Sequence, residues 1–571
     1  MNDDFEVVGE NDSAAFTLKV HRGEGMALLG MNWRVGRPPD DFVGFAIQYR
    51  EPGGDRFLSV RNRLTFEPFG SPAGGDVRSS LRSPIQKFRW VHFPFRAERP
   101  GGFLYRVTPV FMAADGVLSY GEAQEAEIDL AGETYPGRLN VCFTRGFVSS
   151  QAFVDRFERG GAISTLLPAK ADDGLDFVPT HPDAEEALDW MGFEARRAVL
   201  AVLDAAIADE TTAVKVVAYD LSEADVVSRL EQLGSRLTII VDDSDAHGEK
   251  GSAETEAARR LRASAGTANV RRQHMGGLQH NKCIVVTGPK LNQAVCGSTN
   301  FSWRGFFVQS NNAVVLTGRQ AIQPFVDAFE SYWGTDEAAE FGALPAAQWV
   351  DLGFDGIEAE VAFSPHSAGN AQLATIAGDI REGATSSLLY SLAFLAQTKG
   401  SIRQAVKVVT EGDRVFVYGI ADRAVGGIDL QKPDGNVAPV SPAALSAHVP
   451  EPFKSEPTGG GGIRMHHKFV VVDFDLPTAR VYLGSYNFSK AADRENGENL
   501  LLIRDRRVAV SYAIEAVRLF DHYEFRLRQE EAKTGVKKLV LQRPPSKAGA
   551  TPWWLEDYTN GRKARDRLIF S

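Results

Sequence analysis

The stretch Gln279-His280-Asn281-Lys282 recurs as His466-His467-Lys468 in the second half of this 571-residue chain. Each copy is followed by nearly the same phrase, Gly297-Ser298-Thr299-Asn300-Phe301-Ser302 and then Gly484-Ser485-Tyr486-Asn487-Phe488-Ser489. His280 and His466 lie 186 positions apart, and Ser298 and Ser485 lie 187 apart. So constant an offset predicts a duplicated structural unit rather than a chance similarity.

The composition is that of a soluble globular chain, with 43% hydrophobic and 24% charged residues. No run of about eighteen apolar residues predicts a membrane span, and the acidic start Met1-Asn2-Asp3-Asp4 lacks the features of a secretory signal. The net charge of −11 argues against a surface that coats polyanions, although a local basic cleft is compatible with it. Cys142, Cys283 and Cys296 are few and lack metal-ligand spacing, so we expect reduced thiols in a cytoplasmic protein.

Residues 1–145 predict an all-β sandwich. Apolar and polar residues alternate over 16–20 and 45–50, and Pro- and Gly-rich turns separate the runs. Trp33 and Tyr105 fall where a fibronectin type III domain carries its early core Trp and its late-strand Tyr, and this region resembles such a domain. The resemblance implies a binding or spacing module, with both aromatic residues in the core.

Two α/β halves are predicted after the sandwich, over 146–345 and 346–571. In each half a helical segment precedes continuous apolar strands, a pattern typical of a sheet with parallel strands and helices on its faces. The strands predicted before the two motifs are 214–220, 237–241, 386–390 and 414–419. A Pro- and Gly-rich insert over 423–463 interrupts the second half, and it suits either a functional lid or a disordered loop.

The paired motifs resemble those of the phospholipase D superfamily, whose pattern is His-x-Lys, four residues, Asp, and then Gly-Ser-x-Asn. The second copy is complete. In the first copy Thr287 replaces the Asp, and Asn311 stands where the downstream Glu498 of the second copy would be. The resemblance covers about 185–571 and implies two pseudo-twofold-related α/β halves whose motifs face one cleft. The candidate catalytic residues are His280, Lys282, Ser298, Asn300, Asn311, His466, Lys468, Asp473, Ser485, Asn487 and Glu498.

These residue types suit the chemistry of a phosphodiester. Two lysines and two asparagines can bind the nonbridging oxygens, which gain charge in the transition state. One imidazole can attack phosphorus to give a phosphohistidine, and a second can protonate the leaving oxygen and then activate water. The superfamily that the motifs resemble needs no metal or cofactor, and no His, Cys or carboxylate cluster in the sequence has ligand spacing. We therefore expect hydrolysis to persist in excess EDTA.

The resemblance also assigns the two histidines, because in this superfamily the downstream polar residue of one half braces the histidine of the other. Glu498 would then brace His280, and Asn311 would brace His466. A carboxylate stabilises the positive charge that an imidazole gains on bonding to phosphorus, whereas an amide mainly orients the ring. His280 is therefore predicted to be the nucleophile and His466 the general acid.

Three functions stay open on the sequence alone. The phrases around Asn487 and Glu498 resemble nuclease-like members, which favours a phosphodiesterase acting on DNA or RNA. A phospholipase D acting on phospholipid head groups is the alternative. The third is a catalytically dead binding protein that meets a protein partner through the β-sandwich.

Several residues near the motifs have two interpretations. Strand alternation turns His467 away from the cleft, which predicts a structural role. His274 could line the cleft or simply pack. Trp553-Trp554 and the basic residues after them could bind nucleic acid or form a C-terminal strap on the core.

Overall fold

A computed structural model describes most of the chain. The described residues are 5–66, 78–94, 96–146, 153, 156–395, 400–412, 414–423, 427–440, 465–533, 535, 539–547 and 549–571. Over these ranges the protein forms an N-terminal pair of small sheets followed by two larger α/β sheets.

The N-terminal region is a two-sheet sandwich. One sheet has the strand order β1-β2-β3-β8, and the other has the order β10-β9-β4-β5, with β11 also paired to β9. The strands are β1 Glu6–Val8, β2 Phe16–Gly23, β3 Met26–Trp33, β4 Phe42–Arg50, β5 Leu58–Ser59, β6 Arg61–Asn62, β7 Arg78–Ser79, β8 Arg89–His92, β9 Gly102–Met112, β10 Leu118–Tyr120 and β11 Gln124–Asp129. The short strands β6 and β7 pair with each other.

Alternating apolar residues of both sheets fill the space between them, as period-2 burial in β2 and β9 shows. Trp33 and Tyr105 both lie in this core, as predicted. The hydroxyl of Tyr105 pairs with the side chain of His92 at 3.0 Å, rather than with an upstream backbone group. The sandwich is confirmed, and the fibronectin type III assignment stays an interpretation.

The first α/β sheet has seven strands in the order β12-β18-β17-β16-β13-β14-β15. The members are β12 Leu139–Phe143, β13 Ala213–Ala218, β14 Leu237–Val241, β15 Val270–Arg272, β16 Lys282–Thr287, β17 Asn292–Gly297 and β18 Asn312–Thr317. β13, β14 and β15 are parallel, and the remaining pairings are antiparallel.

The second sheet has nine strands in the order β19-β20-β27-β26-β25-β21-β22-β23-β24. The members are β19 Val350–Asp351, β20 Glu358–Ser364, β21 Ser387–Leu392, β22 Phe416–Asp422, β23 Ile428–Gln431, β24 Val437–Val440, β25 Lys468–Val472, β26 Arg480–Gly484 and β27 Glu498–Arg504. Six neighbouring strands from β20 to β22 repeat the order and directions of those from β12 to β14. This repeat confirms the predicted duplication.

Helices cover both sheets. The α-helices are α1 Ala184–Ala208, α2 Ala224–Gln232, α3 Ala253–Ala265, α4 Arg319–Gly334, α5 Ala338–Phe341, α6 Leu373–Gly383, α7 Ser401–Glu411, α8 Lys490–Arg494, α9 Arg506–Lys533, α10 Glu556–Thr559 and α11 Gly561–Ile569. α1, α2 and α3 pack on the outer face of the first sheet, and α6 and α7 do so on the second. α4 and α9 cover the inner faces within one core that both sheets share. No helix within the described ranges has the length and apolar character needed to cross a membrane.

Two segments differ from their predicted placement, and a third takes one of its two predicted alternatives. β12, assigned to 1–145, pairs with β18 and so belongs to the first α/β sheet. Part of the insert over 423–463 forms β23 and β24, which extend the second sheet, and its remainder from 441 to 463 lies outside the described residues. The C-terminal Trp554 is buried in the core of the sandwich. We keep the division into three units as a proposal, with the first boundary moved to the end of β11.

Candidate active site

The two histidine motifs meet where the sheets approach each other. The ring centroids of His280 and His466 are 6.5 Å apart, and both side chains are about 95% buried. Backbone contacts of equivalent residues hold the halves together here, since Gln279 bridges to Gly497 and Ser310 bridges to Met465. The prediction that one cleft contains both motifs is confirmed.

Each histidine is braced by the opposite half. His280 Nδ1 lies 2.6 Å from Glu498 Oε2, and His466 Nδ1 lies 2.8 Å from Asn311 Oδ1. The amide oxygen of Asn311 only accepts, so Nδ1 of His466 carries the proton in this bond and its Nε2 is left with the lone pair. His280 has the same arrangement when Glu498 is ionised. These are the two contacts predicted from the sequence, including the unequal pairing of carboxylate and amide.

Both lysines are buried beside the imidazoles. Lys468 Nζ donates to Nε2 of His466 at 3.0 Å, and Lys282 donates to the backbone oxygen of His280. Burial, reinforced by the neighbouring ammonium groups, holds the pKa of His280 and of His466 well below the usual value. Burial also lowers the pKa of Lys282 to about 8 and holds the pKa of Lys468 well below its usual value. The negative charge of a bound anion would raise these pKa values again and so favour the protonated imidazoles and lysines.

Glu498 is the only carboxylate hydrogen-bonded to either motif imidazole among the described residues. Burial raises its pKa to about 8, an effect that the nearby charge of Lys282 opposes. A positive charge that develops on His280 favours the ionised carboxylate at this position. The amide of Asn311 has no such response.

The two motif serines hold the bracing residues. Ser298 Oγ donates to Asn311 Oδ1 at 3.0 Å and accepts from the backbone of Asn312. Ser485 Oγ accepts from the backbone of Asn499 at 3.0 Å and is hydrogen-bonded to Glu498. Both serines are fully buried. They contact the bracing residues rather than the imidazoles.

The two motif asparagines have unused hydrogen-bonding capacity. Asn300 Nδ2 donates to Asp220 Oδ2 at 2.6 Å, while its Oδ1 is buried without a partner. Asn487 Oδ1 is likewise buried and unpaired. Polar atoms of this kind are expected where a ligand completes a site.

Asp473 does not belong to this cluster, which corrects its assignment as a candidate catalytic residue. It follows the end of β25 that is opposite to Lys468, and its carboxylate accepts from the backbone N–H groups of Thr385, Ser386 and Ser387 at 2.7–3.1 Å. Its role is to hold the start of β21. The equivalent Thr287 lies at the far end of β16, so its departure from the pattern leaves the reacting groups unchanged.

His467 and His274, the two histidines left with two interpretations, both pair with carboxylates other than Glu498. His467 is fully buried and pairs with Glu515 at 2.9 Å, on the face of β25 away from the cleft. His274 is 53% exposed and pairs with Asp243.

A third histidine missed by the sequence lies close behind His280. His247 Nε2 is 3.1 Å from Asp220 and its Nδ1 is 2.9 Å from Asp242. Tyr219 stands between the two histidines, with ring centroids 4.5 Å from His247 and 4.6 Å from His280. Although burial opposes it, the carboxylate bonds raise the pKa of His247 to about 10. The position of Asp220 and Asp242 after two adjacent parallel strands was a signal for this cluster.

Asp220, His247 and Glu254 are also near enough to one another to hold a metal ion, with ligand atoms within 4.8 Å. The expectation that no cluster has ligand spacing therefore holds for the linear sequence but not for the fold. Both ring nitrogens of His247 already face carboxylates, so the cluster as built is an ion-paired imidazolium.

Comparison with known proteins gives a family for the region that carries the motifs. Residues 203–333 and 435–519 match the family described as cardiolipin synthase, PLD-like domain. A phospholipase D of Rickettsia felis is 43% identical over 47 residues, which are 8% of this chain and 22% of that protein. The chain thus spans about a fifth of the length of the curated relatives that it matches.

Two solved structures are similar to parts of this chain. Nuc from Salmonella typhimurium, a phospholipase D family member, is 23% identical with a TM-score of 0.20, over 25% of this chain and 88% of that one. The phosphatidylserine synthase of Haemophilus influenzae is 13% identical with a TM-score of 0.37, over 60% of this chain and 92% of that one.

Proposed function

Because the chain carries a phospholipase D-like domain, we propose that it is a metal-independent phosphodiesterase that forms a phosphohistidine and acts on nucleic acid. The observation that carries the proposal is the pair of buried imidazoles 6.5 Å apart, each braced by the opposite half and each next to a lysine. One phosphate group placed between them is within reach of both rings.

In the first step, Nε2 of His280 attacks phosphorus and the bond to the leaving oxygen breaks. His466, protonated once the phosphodiester anion is bound, gives its proton to that oxygen. Lys282 and Lys468 neutralise the nonbridging oxygens, and Asn300 and Asn487 complete their hydrogen bonds. In the second step His466 takes a proton from water, which attacks phosphorus and releases His280.

Glu498 supports the assignment of His280 as nucleophile. The ring of His280 becomes cationic when its Nε2 bonds to phosphorus, and the carboxylate 2.6 Å from Nδ1 stabilises that charge. His466 must instead lose its proton readily, which the neutral Asn311 permits.

Phospholipid is the second candidate substrate, favoured by the names of the matched family and of the Rickettsia relatives. The test is to incubate the full chain, with EDTA, separately with labelled single-stranded DNA, duplex DNA, RNA and phosphatidylcholine vesicles. Product from a nucleic acid, lost in His280→Asn and kept in the surface control His274→Asn, is the expected result. Cleavage of the vesicles alone contradicts the proposed substrate, and binding without any product supports a non-catalytic protein.

A further inference from the structure

A cavity of about 400 Å³ lies next to the reacting groups in the first α/β half. Its polar lining includes Asp220, His247 and Glu254, and its apolar lining includes Leu167 and Trp303. The volume is within the range of small-molecule pockets, about 300–1,000 Å³. Nothing in the phosphodiesterase chemistry described above uses this space.

We propose that the cavity binds the substituent that stays on phosphorus after His280 attacks, and that this substituent is a nucleoside. The inference rests on the proposed phosphodiesterase function and specifies its substrate.

The cavity is connected to the phosphate position through one residue. Asp220 lines the cavity, and its Oδ2 accepts the 2.6 Å bond from the amide of Asn300. Ser302, the last residue of the first motif phrase, also lines it. None of the motif histidines, lysines or asparagines lines the cavity itself, so a group attached to a phosphate beside Asn300 would reach this space past the side chain of Asp220.

The cavity lies on the same side of the phosphate position as His280, and this determines which substituent of phosphorus it can bind. Tyr219 is the partition between His280 and His247, which lines the cavity. In an in-line displacement the leaving oxygen departs on the side of phosphorus opposite to the nucleophile. With His280 as nucleophile, the leaving group departs toward His466 and away from the cavity. The cavity can therefore hold the group that is retained on phosphorus.

The chemistry of the lining favours a nucleoside over a lipid. Carboxylates accept hydrogen bonds, and sugar hydroxyl groups can donate to Asp220 and Glu254, while Leu167 and Trp303 offer apolar surface to a base. The retained group of a phospholipase D is a diacylglycerol, whose acyl chains would displace water from Asp220 and Glu254 and offer them no hydrogen bond in its place.

Among the described residues, the second half has no acid at the position equivalent to Asp220. Ala218 pairs with Lys282 and Leu392 pairs with Lys468 in the two sheets, which makes Phe394 the counterpart of Asp220. An apolar ring at that position cannot bind a sugar hydroxyl group. Within the described part of the chain the acidic lining therefore lies in the first half, in keeping with unequal roles for the two histidines.

The test compares two esters that release the same p-nitrophenol: thymidine 5′-(p-nitrophenyl phosphate) and methyl p-nitrophenyl phosphate. Glu254→Gln removes a buried carboxylate of the cavity, and Ala246→Trp fills it from an exposed position. Glu256→Gln, on the same helix but outside the lining, is the matched control. We expect kcat/KM for the thymidine ester to fall about tenfold or more in both cavity variants, and kcat/KM for the methyl ester to change less than about twofold.

The outcomes separate this inference from the proposed function. Wild-type protein that cleaves neither ester contradicts the phosphodiesterase itself. Cleavage of both esters with no selective loss in the two variants overturns the nucleoside cavity and leaves the phosphodiesterase intact. Equal loss of activity toward phosphatidylcholine vesicles in Ala246→Trp, whose folding is checked by thermal denaturation, also overturns it, because the cavity would then hold a lipid.

Discussion

At the scale of single residues, the two imidazoles share their burial but not their partners. Glu498 can stabilise a positive charge on His280, whereas the neutral Asn311 orients the ring of His466 without stabilising a charge on it. This difference matters if one ring stays cationic for the lifetime of a covalent intermediate, as the ring of a phosphohistidine does. The unequal partners of the two rings therefore favour His280 as the histidine that bonds to phosphorus.

Acid quenching during turnover should therefore trap the phosphoryl adduct on His280, as located by mass spectrometry. His466→Asn should accumulate that adduct with a substrate that has a good leaving group, because water activation is slowed by about 10²–10⁴-fold while attack continues. His274→Asn is the control. An adduct on His466 would reverse the assignment and remove the proposed role of Glu498.

The pKa of Lys282 gives a second prediction at this scale. Burial lowers it to about 8, so the free enzyme keeps this ammonium group below pH 8 and loses it above. The value of kcat/KM should then decline as pH rises through about 8, because an uncharged amine no longer attracts the phosphodiester. In Lys282→Arg the guanidinium stays charged, and this decline should move to higher pH.

The matched control for that experiment is Lys215→Arg, whose ammonium pairs with Glu330 away from the cleft. Competitive inhibition by vanadate, measured over the same pH range, reports anion binding even if Lys282→Arg turns over slowly. An unchanged pH profile for both readouts in Lys282→Arg would assign the titration to another group.

The motif residues could be predicted from the sequence because they recur at one offset and their chemistry needs those side chains. Asp220 and Asp242 follow adjacent parallel strands, which is a signal for a polar cluster. His247 belongs to no repeated pattern, and only the fold shows that it joins them. The misplacement of Asp473 has a similar cause. The motif gives its spacing along the strand, but only the fold shows that β25 carries it away from the cleft.

At the scale of elements, Asp473 links the end of one strand to the start of another. Its carboxylate is fully buried. It accepts hydrogen bonds from three backbone N–H groups and from the hydroxyl of Thr385, the last at 2.7 Å. Asp473→Asn should destabilise the fold by about 2–3 kcal/mol, since bonds to a charged acceptor weaken and one N–H group of the amide meets other donors. The activity of the folded protein should change less than about twofold.

Thermal denaturation together with activity measured well below the transition checks this expectation. Thr287→Asp, which restores the motif in the first half, is the companion variant and should not raise activity. A large loss of kcat in folded Asp473→Asn would return this residue to the catalytic group.

Elements with continuous apolar runs or amphipathic helices were predicted within a few residues, because burial on both faces of a sheet leaves a clear pattern. β23 and β24 were not, since Pro and Gly signals dominate the insert and these strands form only by extending the edge at β22. β12 was assigned to the sandwich because it follows β11 closely, and its pairing with β18 is visible only in three dimensions.

At the scale of the whole molecule, the C-terminal segment joins the sandwich to the second α/β half. Trp554 is 3% exposed within the core of the sandwich, and the backbone oxygen of Phe570 accepts from Nε2 of His21 at 2.8 Å. Arg89 of the sandwich pairs with Asp566 of this segment at 2.9 Å and with Asp521 of α9 at 2.7 Å. Of the two predicted alternatives, the strap is the one that these contacts support.

Trp554→Ala and Arg565→Gln distinguish a strap from a nucleic-acid platform. Removing a buried indole should cost about 3–5 kcal/mol and lower the Tm clearly, with little change in the affinity of the folded protein for single-stranded DNA. Arg565→Gln removes one charge from the basic run and leaves Trp554 in place, so both stability and DNA affinity should stay near those of the wild type. If the tail instead binds nucleic acid, Arg565→Gln weakens DNA binding in a salt-dependent manner. Thermal denaturation and DNA titrations at two salt concentrations therefore decide between the two roles, because a strap responds to the loss of packing and a platform to the loss of charge.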